Sequence, residues 1–273
     1  MRWPLLGLVA GVVLLLAYPA VGASQKDLDD CRDESGEKAI AACTRFIEDA
    51  KQPDQQRAMA YYGRAIEWFN NDGYDRAIAD LNQSIRLAPN AARPYYKRAD
   101  VWHEKGQFAR AIADYDKAIE LGLKNADIYT DRGFSKLSKG DLDDALKDYD
   151  TALELNPNHA RAYINRGYLF YRKKDYERSI AEYNEAFKRG RRPHADRGNA
   201  YLANNDLDRA IADYNEAIRL DPKYVRTFLN RAEAHQKKGD LDRAIADLRE
   251  AVRLDPNNAA YRRELTKVQS LKK

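Results

Sequence analysis

Histidine is scarce in this chain of 273 residues, and the four present, His103, His159, His194 and His235, have no ligating partner three or four residues further on. Metal sites on helices use that spacing, so no metal site is expected. A glycine-rich phosphate loop is lacking, as are a GxSxG turn and any nucleophile with a base in view. These absences exclude the common catalytic constellations, and neither enzyme activity nor a cofactor is expected. An excess of charge of one sign is lacking too. Lys and Arg number 47 against 43 Asp and Glu, a net charge of +4. That balance gives no ground for a nucleic-acid partner.

Long hydrophobic runs are confined to the N-terminus, where the 13 residues 5–17 are uncharged and mostly apolar behind Arg2. The run falls short of the roughly 20 residues a membrane-spanning helix needs. Small residues follow it up to Ala23, so residues 1–23 read as a cleaved secretory signal. Residues 3–24 give 22 uncharged positions, which keeps an uncleaved inner-membrane anchor as the alternative. Either reading places the rest of the chain outside the cytoplasm, with the periplasm as the expected compartment. No cysteine directly follows the expected cleavage after Ala23, so a lipoprotein reading fails.

Cysteine occurs twice, as Cys31 and Cys43. An even count in an exported chain points to a disulfide, with two buried free thiols as the alternative. The bridge would add roughly 2–3 kcal/mol by the chain-entropy estimate. Residues 37–50 read as a helix with Ala39, Ile40, Cys43, Phe46 and Ile47 on one face. Cys31 is expected in an arm folded back on that face.

What the chain has in abundance is repetition. Ala77-Ile78-Ala79-Asp80-Leu81 returns with small changes at residues 111, 145, 179, 210 and 244, at spacings of 34, 34, 34, 31 and 34. A period near 34 decides the architecture before any single residue does. Copies are counted here from residues 58, 92, 126, 160, 191 and 225. Position 4 is then Tyr, His or Phe, position 8 is Ala or Gly, and position 20 is Ala or Ser. Position 24 is Tyr or Leu, position 27 is Ala or Ser, and position 32 is Pro in four copies. Apolar and small residues fall at helical spacing twice per copy. The breaker between the two runs is Asp72, Gly106, Gly140, Lys174, Asn205 or Gly239. Gly, Asn and Asp tolerate the left-handed conformation that ends a helix. Lys174 does not, so strain or an altered turn is expected there. Each copy is a helical hairpin that buries its face only by stacking on its neighbours.

This pattern over residues 58–258 resembles the tetratricopeptide repeat (TPR) family. The resemblance implies an all-α, right-handed solenoid of six hairpins. Residues 24–57 are expected as a disulfide-containing capping half-repeat, with Ala39, Cys43 and Phe46 at positions 20, 24 and 27. Residues 259–273 are expected as a capping helix with Tyr261, Leu265, Val268 and Leu271 on its inner stripe. One departure is systematic. Position 7, usually Leu in the family, is Arg64, Arg98, Arg132, Arg166, Arg197 and Arg231. An acid stands at position 23 of every copy, and recurrence in every copy argues for a structural Arg–carboxylate contact rather than a catalytic one.

The resemblance further implies a binding groove lined from positions 2, 5, 9 and 12. Carried over, these include Met59, Tyr62, Ile66 and Phe69; Arg93, Tyr96 and His103; Thr130 and Phe134; and Arg161, Ile164, Tyr168 and Tyr171. The expected groove is apolar and aromatic through the first four copies and holds a protein or peptide segment. The alternative is that these aromatics pack on neighbouring repeats and leave little groove. The Lys/Asn set of the carboxylate-clamp TPR proteins is missing, since position 9 offers only Asn199 and position 5 offers no Lys. Residues 160–193 hold ten bases and four acids. Arg172, Lys173, Lys174, Lys188, Arg189, Arg191 and Arg192 suggest a docking patch for an acidic partner, or a plain solvated surface. The expected function is a non-enzymatic binding scaffold outside the cytoplasm. A membrane-anchored envelope assembly factor, acting through the basic patch, is the second reading. The short spacing between copies four and five is expected to be a functional joint, with three residues lost from the connection or the next helix.

Overall fold

The computed structural model describes residues 25–272. The signal reading of residues 1–23, and the anchor reading of residues 3–24, lie outside the described residues. Among the described residues are fifteen helices and no strand, and no helix is long and apolar enough to cross a membrane. The helices group into two compact units, divided in the chain between Pro89 and Asn90.

The first unit holds α1 (Gln25–Asp33), α2 (Gly36–Glu48), α3 (Asp54–Asn70) and α4 (Tyr74–Leu87). Cys31 and Cys43 are bridged, with Cα atoms 4.7 Å apart. Cys31 lies in a helix rather than an arm, because Leu28 and Cys31 share one buried face of α1. Among the described residues the segment is a short hairpin of α1 and α2. Ala39, Cys43 and Phe46 are buried as positions 20, 24 and 27 require, while Ile40 is only half-buried and Ala42 packs inward in its stead.

The second unit holds copies two to six. They are α5 (Ala92–Glu104) with α6 (Phe108–Glu120), α7 (Ala126–Lys139) with α8 (Leu142–Leu155), and α9 (Ala160–Arg172) with α10 (Tyr176–Lys188). Then come α11 (His194–Ala203) with α12 (Leu207–Leu220), α13 (Val225–Lys237) with α14 (Leu241–Leu254), and a final α15 (Ala259–Leu271). On α15 Val268 is buried, but Leu271 is 61% exposed, so the inner stripe stops one turn early.

The turn inside each hairpin forms as the breaker residues dictate. Asp72, Lys174 and Asn205 adopt φ of 58°, 62° and 60°, matching the glycines of the other copies. At Lys174 the Asp175 N–H reaches the Phe170 carbonyl at 2.9 Å, as Gln107 N–H reaches Trp102 at 2.8 Å. The turn geometry is unaltered, and the lysine itself carries the left-handed strain. Asp175, Asp206 and Asp240 then cap the second helices by accepting from the backbone three residues on.

Close packing inside a hairpin couples positions 8 and 24. A Cβ on Gly133, Gly167 or Gly198 would stand 2.8, 3.0 or 2.8 Å from the ring of Tyr149, Tyr183 or Tyr214. Ala65 and Ala232 sit instead in copies whose position 24 is Leu81 and Leu248; Ala99 with Tyr115 departs from the rule.

The position-7 arginines hold the hairpins in register. Arg64, Arg98, Arg132, Arg197 and Arg231 each fork onto the position-23 aspartate of their own copy, with both bonds between 2.6 and 2.9 Å. Arg166 meets Glu182 through a single oxygen at 2.9 Å. The remaining Nη1 reaches back to position 25 of the preceding hairpin. Arg132 bonds Asp116, Arg166 bonds Asp150, Arg197 bonds Asn184 and Arg231 bonds Asn215, at 2.6 to 2.7 Å. In the first unit Arg64 bonds Thr44 of α2 at 2.8 Å. In five copies the planar guanidinium also lies over the position-4 ring, as Arg132 does over Tyr129 at 5.3 Å, whereas Arg197 lies over Phe187 at 3.9 Å. Lysine, a point charge without the fork, cannot make this set.

The missing residues of copy five come from the first turn of α11, which has 10 residues where α9 and α13 have 13. Pro193 stands at its N-cap. The Arg197 fork and its reach to Asn184 survive the deletion.

Three outcomes check this account by thermal and urea unfolding. Gly133→Ala overpacks the hairpin and should cost about 1–3 kcal/mol; adding Tyr149→Leu should restore most of it. Arg231→Leu strands Asp247, whose side chain is 7% exposed, and should cost about 3 kcal/mol; adding Asp247→Leu should recover most of that. Lys174→Gly relieves a left-handed cost of about 1–2 kcal/mol against a glycine entropy cost of about 0.5–1 kcal/mol, so the midpoint should rise.

Candidate functional site

Positions 2, 5, 9 and 12 of each first helix fall on one face, and the structure sorts their residues unevenly. In the first unit Met59 is exposed, while Tyr62, Ile66 and Phe69 are half-buried, with Phe69 5.8 Å from the Tyr74 ring. In the second unit Phe134 and Tyr168 are each 37% exposed. Tyr171 packs on Tyr176 at 5.7 Å, and His103 lies between Phe108 and Phe134 at 5.2 and 4.9 Å. So position 12 mostly packs on position 17 of its own hairpin. Ile164 is half-buried and Arg93 is exposed. Thr130 is wholly buried, and its hydroxyl donates to the Ala126 carbonyl at 2.7 Å. It does not line a groove, because the β-branched side chain satisfies its own helix.

The face is more polar through copies two to four than the sequence suggests. The Tyr96 hydroxyl donates to Asp131 at 2.5 Å, and Arg161 reaches both Asp131 at 2.5 Å and Asp127 at 3.0 Å. Lys97 donates to Asp100 at 2.8 Å, and Tyr115 donates to its other oxygen at 2.9 Å. Burial raises the Asp100 carboxyl above its usual range, against the pull of Lys97. Burial, with the nearby Asp131 charge, also pushes the Tyr96 hydroxyl well up. The His103 imidazole is lowered by burial, and its Nδ1 is 2.7 Å from the Ser135 hydroxyl.

Position 6, and the reach of the position-24 ring onto this face, are what the groove positions 2, 5, 9 and 12 leave out. Positions 2, 6, 9 and 13 form a stripe at helical spacing, which is the signal that would have added Lys97, Asp131 and Asp196. The position-24 ring reaches past position 8 to position 9 of its own hairpin. Tyr115 thereby bonds Asp100, and Tyr214 bonds Asn199 at 2.8 Å. In copy three position 9 is Phe134, and the buried Tyr149 hydroxyl has no partner among the described residues.

The basic cluster does not form one patch. Arg172, Lys173 and Lys174 precede α10, whereas Lys188, Arg189, Arg191 and Arg192 end it or follow it. The 13 residues of α10 place about 20 Å between the groups at 1.5 Å per residue. Lys173 pairs with Asp143 at 2.6 Å, Lys188 with Glu185 at 2.6 Å, and Arg172 lies over Tyr168 at 5.9 Å. Arg189 is pinned rather than mobile. It donates to the Pro157 and Glu185 carbonyls, to the Glu185 carboxylate and to the Tyr163 hydroxyl, and it lies 4.1 Å from the Tyr163 ring centroid. Lys174, Arg191 and Arg192 remain exposed.

No curated protein matches the chain. Among solved structures it is similar to a chain of the APC/C hetero-tetramer Cut9-Hcn1, at 18% identity over 85% of this chain, with a TM-score of 0.69. The match spans about half of that chain, 48%. A tetratricopeptide repeat protein from Parabacteroides merdae is 17% identical over 85% of this chain and 91% of its own, with a TM-score of 0.66. Pseudomonas aeruginosa pilF is 16% identical over 79% of this chain and 100% of its own, with a TM-score of 0.67. At these identities the likeness is one of fold. Models described as tetratricopeptide repeat match residues 66–126, 130–193 and 225–258, and one described as TPR repeat matches residues 198–239. With the 34-residue period, the hairpin geometry and these matches in agreement, the chain belongs to the tetratricopeptide repeat family.

Proposed function

We propose that the chain is a non-enzymatic scaffold that binds a protein segment on the face of its first helices, and that it does so outside the cytoplasm. The observation that carries the binding reading is the exposure of Phe134 and Tyr168. The rings at position 24 of the same two hairpins, Tyr149 and Tyr183, are by contrast buried almost completely. Two partly exposed aromatic side chains, one repeat apart on the same helix face, are what an interface anchor requires. The TPR fold supports the same class of function, since its hairpins present such faces to protein partners. Export is supported by the Cys31–Cys43 bridge, which persists in oxidising compartments, and by the signal-like composition of residues 1–23.

Capture from an envelope extract under non-reducing conditions, followed by affinity measurement with the purified partner, tests the reading. Phe134→Ala and Tyr168→Ala should each weaken binding by about 1 kcal/mol or more, near fivefold, with circular dichroism unchanged. Binding indifferent to both substitutions would remove this face as the site.

A further inference from the structure

Asp196 is a carboxylate on the inner face with no hydrogen-bond or ion-pair partner among the described residues. It occupies position 6 of copy five, and Asp131 occupies the same position in copy three. The two differ in what surrounds them. Asp131 is covered by Tyr96, from position 5 of the hairpin before, and by Arg161, from position 2 of the hairpin after. At Asp196 the first of these places holds Ile164, which has nothing to donate. The second holds Arg226, which forms no ion pair among the described residues. Asp196 itself has no hydrogen bond or ion pair among the described residues. Its carboxylate is reached by water yet crowded by protein, and that partial burial alone raises it above the usual range.

Aromatic rings stand beside it. Position 9 of one hairpin meets position 6 of the next, as Asn199 meets Asn230 at 2.7 Å. By that register Tyr168, exposed at position 9 of copy four, adjoins Asp196. The Tyr183 hydroxyl, raised first by burial, is raised further by the Asp196 charge and by Tyr168, which places all three in one neighbourhood. A second carboxylate, Glu233, acts on the Tyr171 and Tyr214 hydroxyls from copy six. An uncompensated carboxylate beside an exposed aromatic face attracts a cation through both charge and the ring quadrupole.

We propose that the segment bound on this face contributes one arginine or lysine side chain, seated between the Asp196 carboxylate and the Tyr168 ring. The inference rests on the binding reading above and adds the chemistry of the partner. The array contains its own template for the contact, since Arg161 on Asp131 is a guanidinium on a position-6 carboxylate. The partner's cation takes at copy five the place that the chain fills for itself at copy three.

The test uses the purified full chain and an array of blocked peptides with varied flanking residues, each made once with arginine and once with citrulline at its centre. Citrulline keeps the shape and removes the charge. The arginine peptides should bind about tenfold more tightly than their twins, a difference of about 1.4 kcal/mol. Asp196→Asn should abolish that difference without moving the thermal midpoint, and Phe134→Ala should weaken both twins alike. Equal affinity of the twins, or a difference that survives Asp196→Asn, overturns the cation site while leaving the binding face standing. Binding of neither twin anywhere in the array overturns both readings.

Discussion

The bond on which the rest depends is the arginine fork at position 7. In each copy one guanidinium ties the two helices of a hairpin through the position-23 carboxylate, and the third arm of Arg64, Arg132, Arg166, Arg197 and Arg231 ties on the hairpin before. The position-23 carboxylates are only 4–14% exposed at their side chains. A charge so placed is costly unless it is paired and hydrogen-bonded. That cost makes the fork a constraint rather than an ornament: the helices must sit where the guanidinium can satisfy both partners. The family's usual leucine would fill the same space without fixing an angle. Burial pushes the Glu182 carboxyl up even beside Arg166, and this is the copy in which a longer acid turns the fork into a single-oxygen contact.

Much of this was legible in the sequence because the information is local and repeated. Six small residues at position 20 and six left-handed turn residues at position 15 are sampled often enough to reveal their roles. The Arg–carboxylate pairing was legible for the same reason. What escaped the reading depends on direction in space. Thr130 has the spacing of a groove residue, but its hydroxyl bonds backward along its own helix. The bases at residues 172–174 and 188–192 are close in sequence, and an antiparallel hairpin sends them to opposite ends of a helix. Cys31 reads as part of an arm because α1 offers only two apolar residues, too few to announce a helix amid acids.

The candidate face was legible as a face and not as a chemistry. Period and position gave Phe134 and Tyr168. The ion network of Asp100, Asp127, Asp131 and Arg161 required knowing which position of one hairpin meets which position of the next. That register is a property of the stack, and no single copy contains it. The unpaired Asp196 is visible only by comparison with Asp131, once the contacts of both are known.

The third arms of Arg64, Arg132, Arg166, Arg197 and Arg231 all point toward the N-terminus. Position 25 accepts them as Thr44, Asp116, Asp150, Asn184 and Asn215, and the series stops where position 25 becomes Arg249 and position 7 becomes Leu265. The stack therefore has a polarity. Losing a hairpin from the C-terminal side of the second unit uncovers short acids and amides that water serves well. Losing one from the N-terminal side leaves a guanidinium arm reaching for an acceptor that has gone. Fraying should run inward from α15, and each hairpin serves as the template on which the following one sets its angle.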